Sequence, residues 1–94
     1  MRLADVLRQS DLGDDDEATI YVERPWSPDA EAIVLSLAPQ ATTPVEREGR
    51  QFDYFLEAFI ARDFLDDLEA SGEAKTMSEI ERCERIIRYA EADA

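Results

Sequence analysis

Carboxylates are the side chains in this sequence most able to do chemistry. The stretch "DLGDDDE" groups Asp11, Asp14, Asp15, Asp16 and Glu17, and "DFLDDLE" groups Asp63, Asp66, Asp67 and Glu69. Such clusters can bind a cation, transfer a proton or attract a basic surface. Calcium takes about six to eight oxygens, and helix–loop–helix calcium loops place them at alternate positions around a central glycine. Here the acids run contiguously from Asp14, Leu12 and Gly13 fall early, and a strand pattern follows Glu17. No metal site is expected. Acid–base catalysis by two carboxylates, as in glycosidases, needs one of them in an environment that raises its pKa. The candidate pairs, Asp66 with Asp67 and Asp63 with Glu69, fall on the exposed face of an expected helix, where a solvated stripe explains them.

Other catalytic chemistry is thinly supplied. The chain has no histidine, which removes the commonest general base, the usual zinc ligand and any Ser-His or Cys-His arrangement. Cys83 sits at an apolar-stripe position of a helix and reads as a small buried hydrophobe. Three glycines offer no phosphate-binding loop. A chain of this size rarely builds a substrate cleft of several hundred cubic ångströms. No catalytic residue and no cofactor are assigned.

Electrostatic attraction remains. The net charge is −13 over 94 residues, which opposes binding to phosphate backbones and anionic lipid. It is unevenly spread: residues 1–31 and 53–73 each carry −6, while 75–94 carry only −1. The first acidic zone includes Asp14, Asp15, Asp16 and Glu17, and then Glu23, Asp29 and Glu31 flank a proline-bearing loop with Trp26. An aromatic on a stiff loop amid carboxylates has the ingredients of an interface hot spot. Trp26 has two readings, a lid folded over the sheet edge or an anchor for a partner. These eight residues form the candidate partner-binding set. The run Arg82, Arg85 and Arg88, with Glu81, Glu84 and Glu91 nearby, reads as ordinary surface pairing.

The elements that must carry these residues follow from periodicity. Leu3, Val6 and Leu7 give a short amphipathic helix to about Ser10. "ATIYVE" alternates, predicting a half-buried strand, whereas "EAIVLSLA" is apolar on both faces and predicts a strand in the middle of a sheet. Ser27-Pro28 opens a single helical turn between them. Thr43-Pro44-Val45-Glu46 has the form of a capping box and predicts a short helix ending near Gly49. The segment from Phe52 reads either as one helix, with Phe52, Phe55, Leu56, Phe59 and Ile60 sharing a face, or as a strand followed by a helix. Aromatic density favours the strand, with Phe52, Tyr54, Leu56 and Ala58 on one face and Phe55 and Phe59 pointing away from it, where they could pair in a homodimer. A helix striped by Ala61, Phe64, Leu65 and Leu68 follows. Thr76 and Glu79 suggest a second capping box, and Ile80, Cys83, Ile87 and Ala90 the stripe of a closing helix. The expected architecture is a single α+β domain over 1–94. A three-stranded antiparallel sheet has helices packed on one face, in the order α-β-β-(α)-β-α-α.

"WS" at Trp26-Ser27, the aromatic segment from Tyr54 and the closing "RYAEADA" together resemble a family of short acidic bacterial proteins known as a domain of unknown function. The resemblance implies a small α+β fold and a bacterial cytoplasmic setting, and it brings no catalytic residues. Some such families include immunity proteins of toxin systems. A single cysteine is compatible with a reducing cytoplasm. No run approaches the roughly 18 apolar residues of a membrane helix, and "MRLADVLRQSDL" lacks the features of a signal peptide. The expected function is a non-enzymatic acidic module binding a basic protein, of the immunity or antidote kind. A homo-oligomerising structural or regulatory module, or a nucleic-acid mimic, is the alternative. Neither nucleic acid nor membrane is an expected partner, and the chain is expected to be a monomer or homodimer.

Overall fold

The computed structural model describes residues 1–36 and 43–93. In chain order it comprises α1 (Leu3–Leu7), β1 (Ala18–Val22), β2 (Ala32–Ser36), β3 (Val45–Arg47), β4 (Arg50–Glu57), α2 (Ala58–Ser71), a 3₁₀ turn (Glu73–Thr76) and α3 (Glu79–Asp93). The strands form one antiparallel sheet in the order β2-β1-β4-β3. The α+β class with helices on one face therefore holds, but the sheet has four strands instead of three.

The added strand replaces the helix expected at 44–49. Val45–Arg47 pairs with Arg50–Phe52 across a two-residue turn, and both turn residues, Glu48 (φ 54°) and Gly49 (φ 78°), are left-handed. That backbone twists the way paired strands need, and glycine takes it without steric cost. Once the aromatic strand is available as a partner, Val45 gains a ladder that an isolated helical turn cannot offer. Pro44 sits just before the strand, where its missing N–H costs nothing.

The two early strands exchange the places their sequences suggest. All five residues of β1 are buried, and it pairs on both sides. The apolar β2 lies at the sheet edge with Val34 exposed; Leu37 and Ala38, the end of its expected span, lie outside the described residues. Sheet position follows from which strands find partners, and β4 takes the free side of β1. On the helix-facing side, Ala18, Ile20, Val22, Ala32 and Leu56 meet Leu3 and Val6 of α1, Ala58 and Ala61 of α2, and Cys83, Ile86, Ile87 and Ala90 of α3. At roughly 25 cal/mol per Å² of apolar burial, this shared core is what holds helices as short as α1, which are marginal alone.

A bulge in β4 changes which aromatics face that core. Ile20 opposes Leu56 whereas Tyr21 opposes Tyr54, so Phe55 is the extra residue. Phe55 and Leu56 are both buried in the core, and Tyr54 turns to the other face with Tyr21, their rings edge-on at 6.5 Å. Strict alternation across Phe52, Tyr54, Leu56 and Ala58 therefore fails. Tyr21 is fully buried, and its hydroxyl has no partner among the described residues.

The strand-then-helix reading from Phe52 onward matches β4 and α2. The start of α3 differs from expectation. Ser78 and Glu81 form the reciprocal capping box, Glu81 N–H donating to Ser78 Oγ at 3.1 Å and Ser78 N–H to Glu81 Oε1 at 3.2 Å. Thr76 instead donates to the Glu73 carbonyl. Ile80, in the first turn of α3, is 60% exposed, and Ile86 joins Cys83, Ile87 and Ala90 in the buried stripe at 0%. Among the described residues no helix is long and apolar enough to cross a membrane.

Candidate functional site

Two neighbouring regions carry the eight residues picked out by sequence. The first is the β1–β2 connection. Its carbonyls cap α1: Leu3 N–H donates to Ala30 O at 2.9 Å and Ala4 N–H to Pro28 O at 3.0 Å. Two donors at the helix start are thereby satisfied without a side-chain cap. Ala30 N–H closes a turn onto Ser27 O, at the site of the expected helical turn. Trp26 is half-buried here. Its indole N–H donates to Val22 O at 3.1 Å, its ring meets Phe55 edge-on at 5.0 Å, and the Arg24 guanidinium lies 3.6 Å from the ring centroid. The ring still borders a groove of about 370 Å³ shared with Pro28, Glu84, Ile87 and Arg88. Of its two readings, the lid describes its contacts.

The acids around this loop are neutralised from within. Arg50 grips Glu23 with two nitrogens, Nε at 2.8 Å, and this fork holds the Glu23 carboxyl below its ordinary range. Glu31 accepts from the Met1 ammonium, which lowers its pKa also. Asp29 accepts a longer, exposed contact from Arg2 at 3.4 Å. Arg24 donates to Asp53 at 3.1 Å. None of these was legible in sequence order, because the partners lie 27 to 30 residues apart.

The second region is the connector between α1 and β1. Asp15 is engaged: it accepts from Ser36 Oγ and from Glu17 N–H, contacts that push its pKa down. Asp14, Asp16 and Glu17 are exposed and have no ion-pair partner among the described residues. Nor do any three acidic or thiol groups gather there, or elsewhere among the described residues, in a cation-binding arrangement. The connector seats on α2. A methyl group at Gly13 would lie 2.9 Å from Arg62 Cβ and 3.3 Å from Phe59 Cα, and Arg62 Nη1 donates to Ser10 O at 3.0 Å. This seating brings the connector, in which Asp14, Asp16 and Glu17 follow Gly13, against the first turns of α2, which carry exposed Phe59 and Asp63. Phe59, which sequence reasoning linked with Phe55 to self-association but left out of the acidic partner-binding set, stays 38% exposed, as Tyr89 of α3 does at 40%. The available signal was its position at the helix start, off the Ala61–Leu68 stripe.

A groove of about 340 Å³ lies where α1, α2 and α3 meet, lined by Arg8, Arg62 and Arg82 with Leu7, Leu65 and Cys83. Each arginine is held by a carboxylate, Glu79, Asp66 and Glu69 respectively, so the groove presents paired charges. The Cys83 thiol is buried, which raises its pKa to about 11 and keeps it from acting as a thiolate near neutrality. No protein-family model, no curated protein and no solved structure matches this chain.

Proposed function

We propose that this chain is a non-catalytic binding module that presents Asp14, Asp16 and Glu17, with Phe59 beside them, to a basic protein surface. The observation that supports the reading is the seating of Gly13 against Arg62 and Phe59, which holds the connector bearing these acids, without ion-pair partners among the described residues, against the helical turn that carries exposed Phe59. Unpaired surface acids raise the rate of encounter with a cationic partner, and an aromatic beside them supplies the area that charge alone lacks. An immunity or antidote protein covering a basic surface of a toxin, such as a nuclease, is the form of this function that best suits its charge and size. The acids first linked to Trp26 take a structural role in this proposal, tying β4 and the chain start to the sheet.

Capture of partners from the source cell lysate, at low and at high salt, tests the proposal. A basic protein is expected at low salt, with recovery falling as salt screens the charges. The triple variant Asp14→Asn, Asp16→Asn, Glu17→Gln is expected to lower the association rate about tenfold while leaving thermal stability within about 0.5 kcal/mol. Failure to recover any basic protein at either salt overturns the reading.

A further inference from the structure

We infer that the outer edge of β2 is a docking site for an extended segment of the basic partner, added as one more antiparallel strand beside Val34. The inference rests on the proposed binding of a basic protein and names where its backbone engages. Glu31 O accepts from Glu23 N–H on the β1 side, while Ala32 N–H donates to Met1 O and Ala30 O accepts from Leu3 N–H on the other. Hydrogen-bonding direction alternates along a strand, so the N–H and C=O of Val34 point away from β1, where the described residues supply no partner. Ala32–Ser36 contains neither proline nor charge, the usual devices that blunt an exposed edge. Its Val34 side chain is 40% exposed.

The near end of this edge already holds a strand-like companion. Arg2 forms an antiparallel bridge with Glu31, so the geometry for adding a chain is in place and stops short of Val34. A groove of about 530 Å³ runs from β2 to the β3–β4 hairpin, lined by Ile33, Val34 and Leu35 of β2 and Phe52 of β4 among others. Arg47 and Arg50 also border it, Arg50 being held by Glu23. At the far end, Asp15 is fastened to Ser36, which sets exposed Asp14, Asp16 and Glu17 next to the end of the strand. Main-chain pairing supplies affinity in strand addition, and the flanking side chains choose the occupant. Here the occupant is a segment alternating apolar and basic residues. A second copy would bring another −13 of charge to the same acidic flank, which opposes self-pairing.

The test uses the full chain and two fluorescein-labelled heptapeptides of equal charge, one alternating lysine with valine, the other lysine with glycine. The valine peptide is expected to bind at low salt at least tenfold more tightly, and to slow hydrogen exchange of the Val34 amide. Val34→Pro removes the outward N–H and is expected to weaken that peptide at least tenfold. The exchange measurement on the unaltered chain decides the matter if that variant does not fold. Equal binding of both peptides without Val34 protection, or affinity that survives Val34→Pro but is lost on neutralising Asp14, Asp16 and Glu17, overturns edge docking and leaves the acidic-surface reading standing. Absence of peptide binding at any salt overturns edge docking as well, while lysate capture decides the broader proposal. Val34 protection that rises with protein concentration alone assigns the edge to a second copy and likewise overturns it.

Discussion

Gly13 and Arg62 touch so closely that no side chain fits between them: a Cβ on Gly13 would come within 2.9 Å of Arg62 Cβ. Gly13 is also left-handed, with φ 88°. Gly49 has φ 78° but open space around it. Gly49→Ala is therefore expected to cost about 1–2 kcal/mol, the price of a left-handed alanine. Gly13→Ala bears that penalty plus the displacement of the connector from α2, and is expected to exceed it by about 1 kcal/mol or more. Urea denaturation of both variants checks the order, and equal losses would show that the connector is not seated on α2.

Trp26 separates a structural role from a binding one. Trp26→Ala removes the ring from Phe55 and the donor from Val22 O, and is expected to cost about 3 kcal/mol. Trp26→Phe keeps a ring but leaves the Val22 carbonyl without its donor, for about 1 kcal/mol. Denaturant midpoints give both values. If Trp26→Ala leaves stability unchanged yet abolishes partner binding, the lid assignment is wrong.

The hydroxyl of Tyr21 is buried without a partner among the described residues, and burial raises its pKa. Burying an unpaired hydroxyl is unfavourable, so Tyr21→Phe is expected to be neutral or stabilising, by up to about 1 kcal/mol, in thermal unfolding. A loss of more than that would reveal a hydrogen bond made by this hydroxyl in solution.

Glu23 gives the fold a pH dependence whose sign is fixed. Its pKa is lowered in the folded state by Arg50, so its contribution is present above the unfolded value, near 4.5, and is lost as pH falls through the folded value. Glu23→Gln is expected to lower the melting temperature at pH 7, and the gap from the unaltered chain should narrow as pH falls below the unfolded value of 4.5. A gap that stays constant down to pH 3 would mean that the Arg50 fork adds nothing specific to the charged carboxylate.

Periodicity in the sequence determined the elements with strong local signals. The alternation from Ala18, the aromatic strand running into the Ala61–Leu68 stripe, and the amphipathic closing helix each match an element of the fold. Near-neighbour spacing suffices there, because one face of each must be buried. Pairing of distant segments decided the rest. It made Val45–Arg47 a strand instead of a helix, sent apolar β2 to the edge and β1 to the centre, and inserted the bulge at Phe55. It also sorted the acids, joining Glu23 to Arg50 and Glu31 to the Met1 ammonium while leaving Asp14, Asp16 and Glu17 without an ion-pair partner among the described residues. Sequence order fixes how much charge the chain carries, but whether a carboxylate is free depends on which cation the fold brings within a few ångströms, since Coulombic attraction follows distance in space.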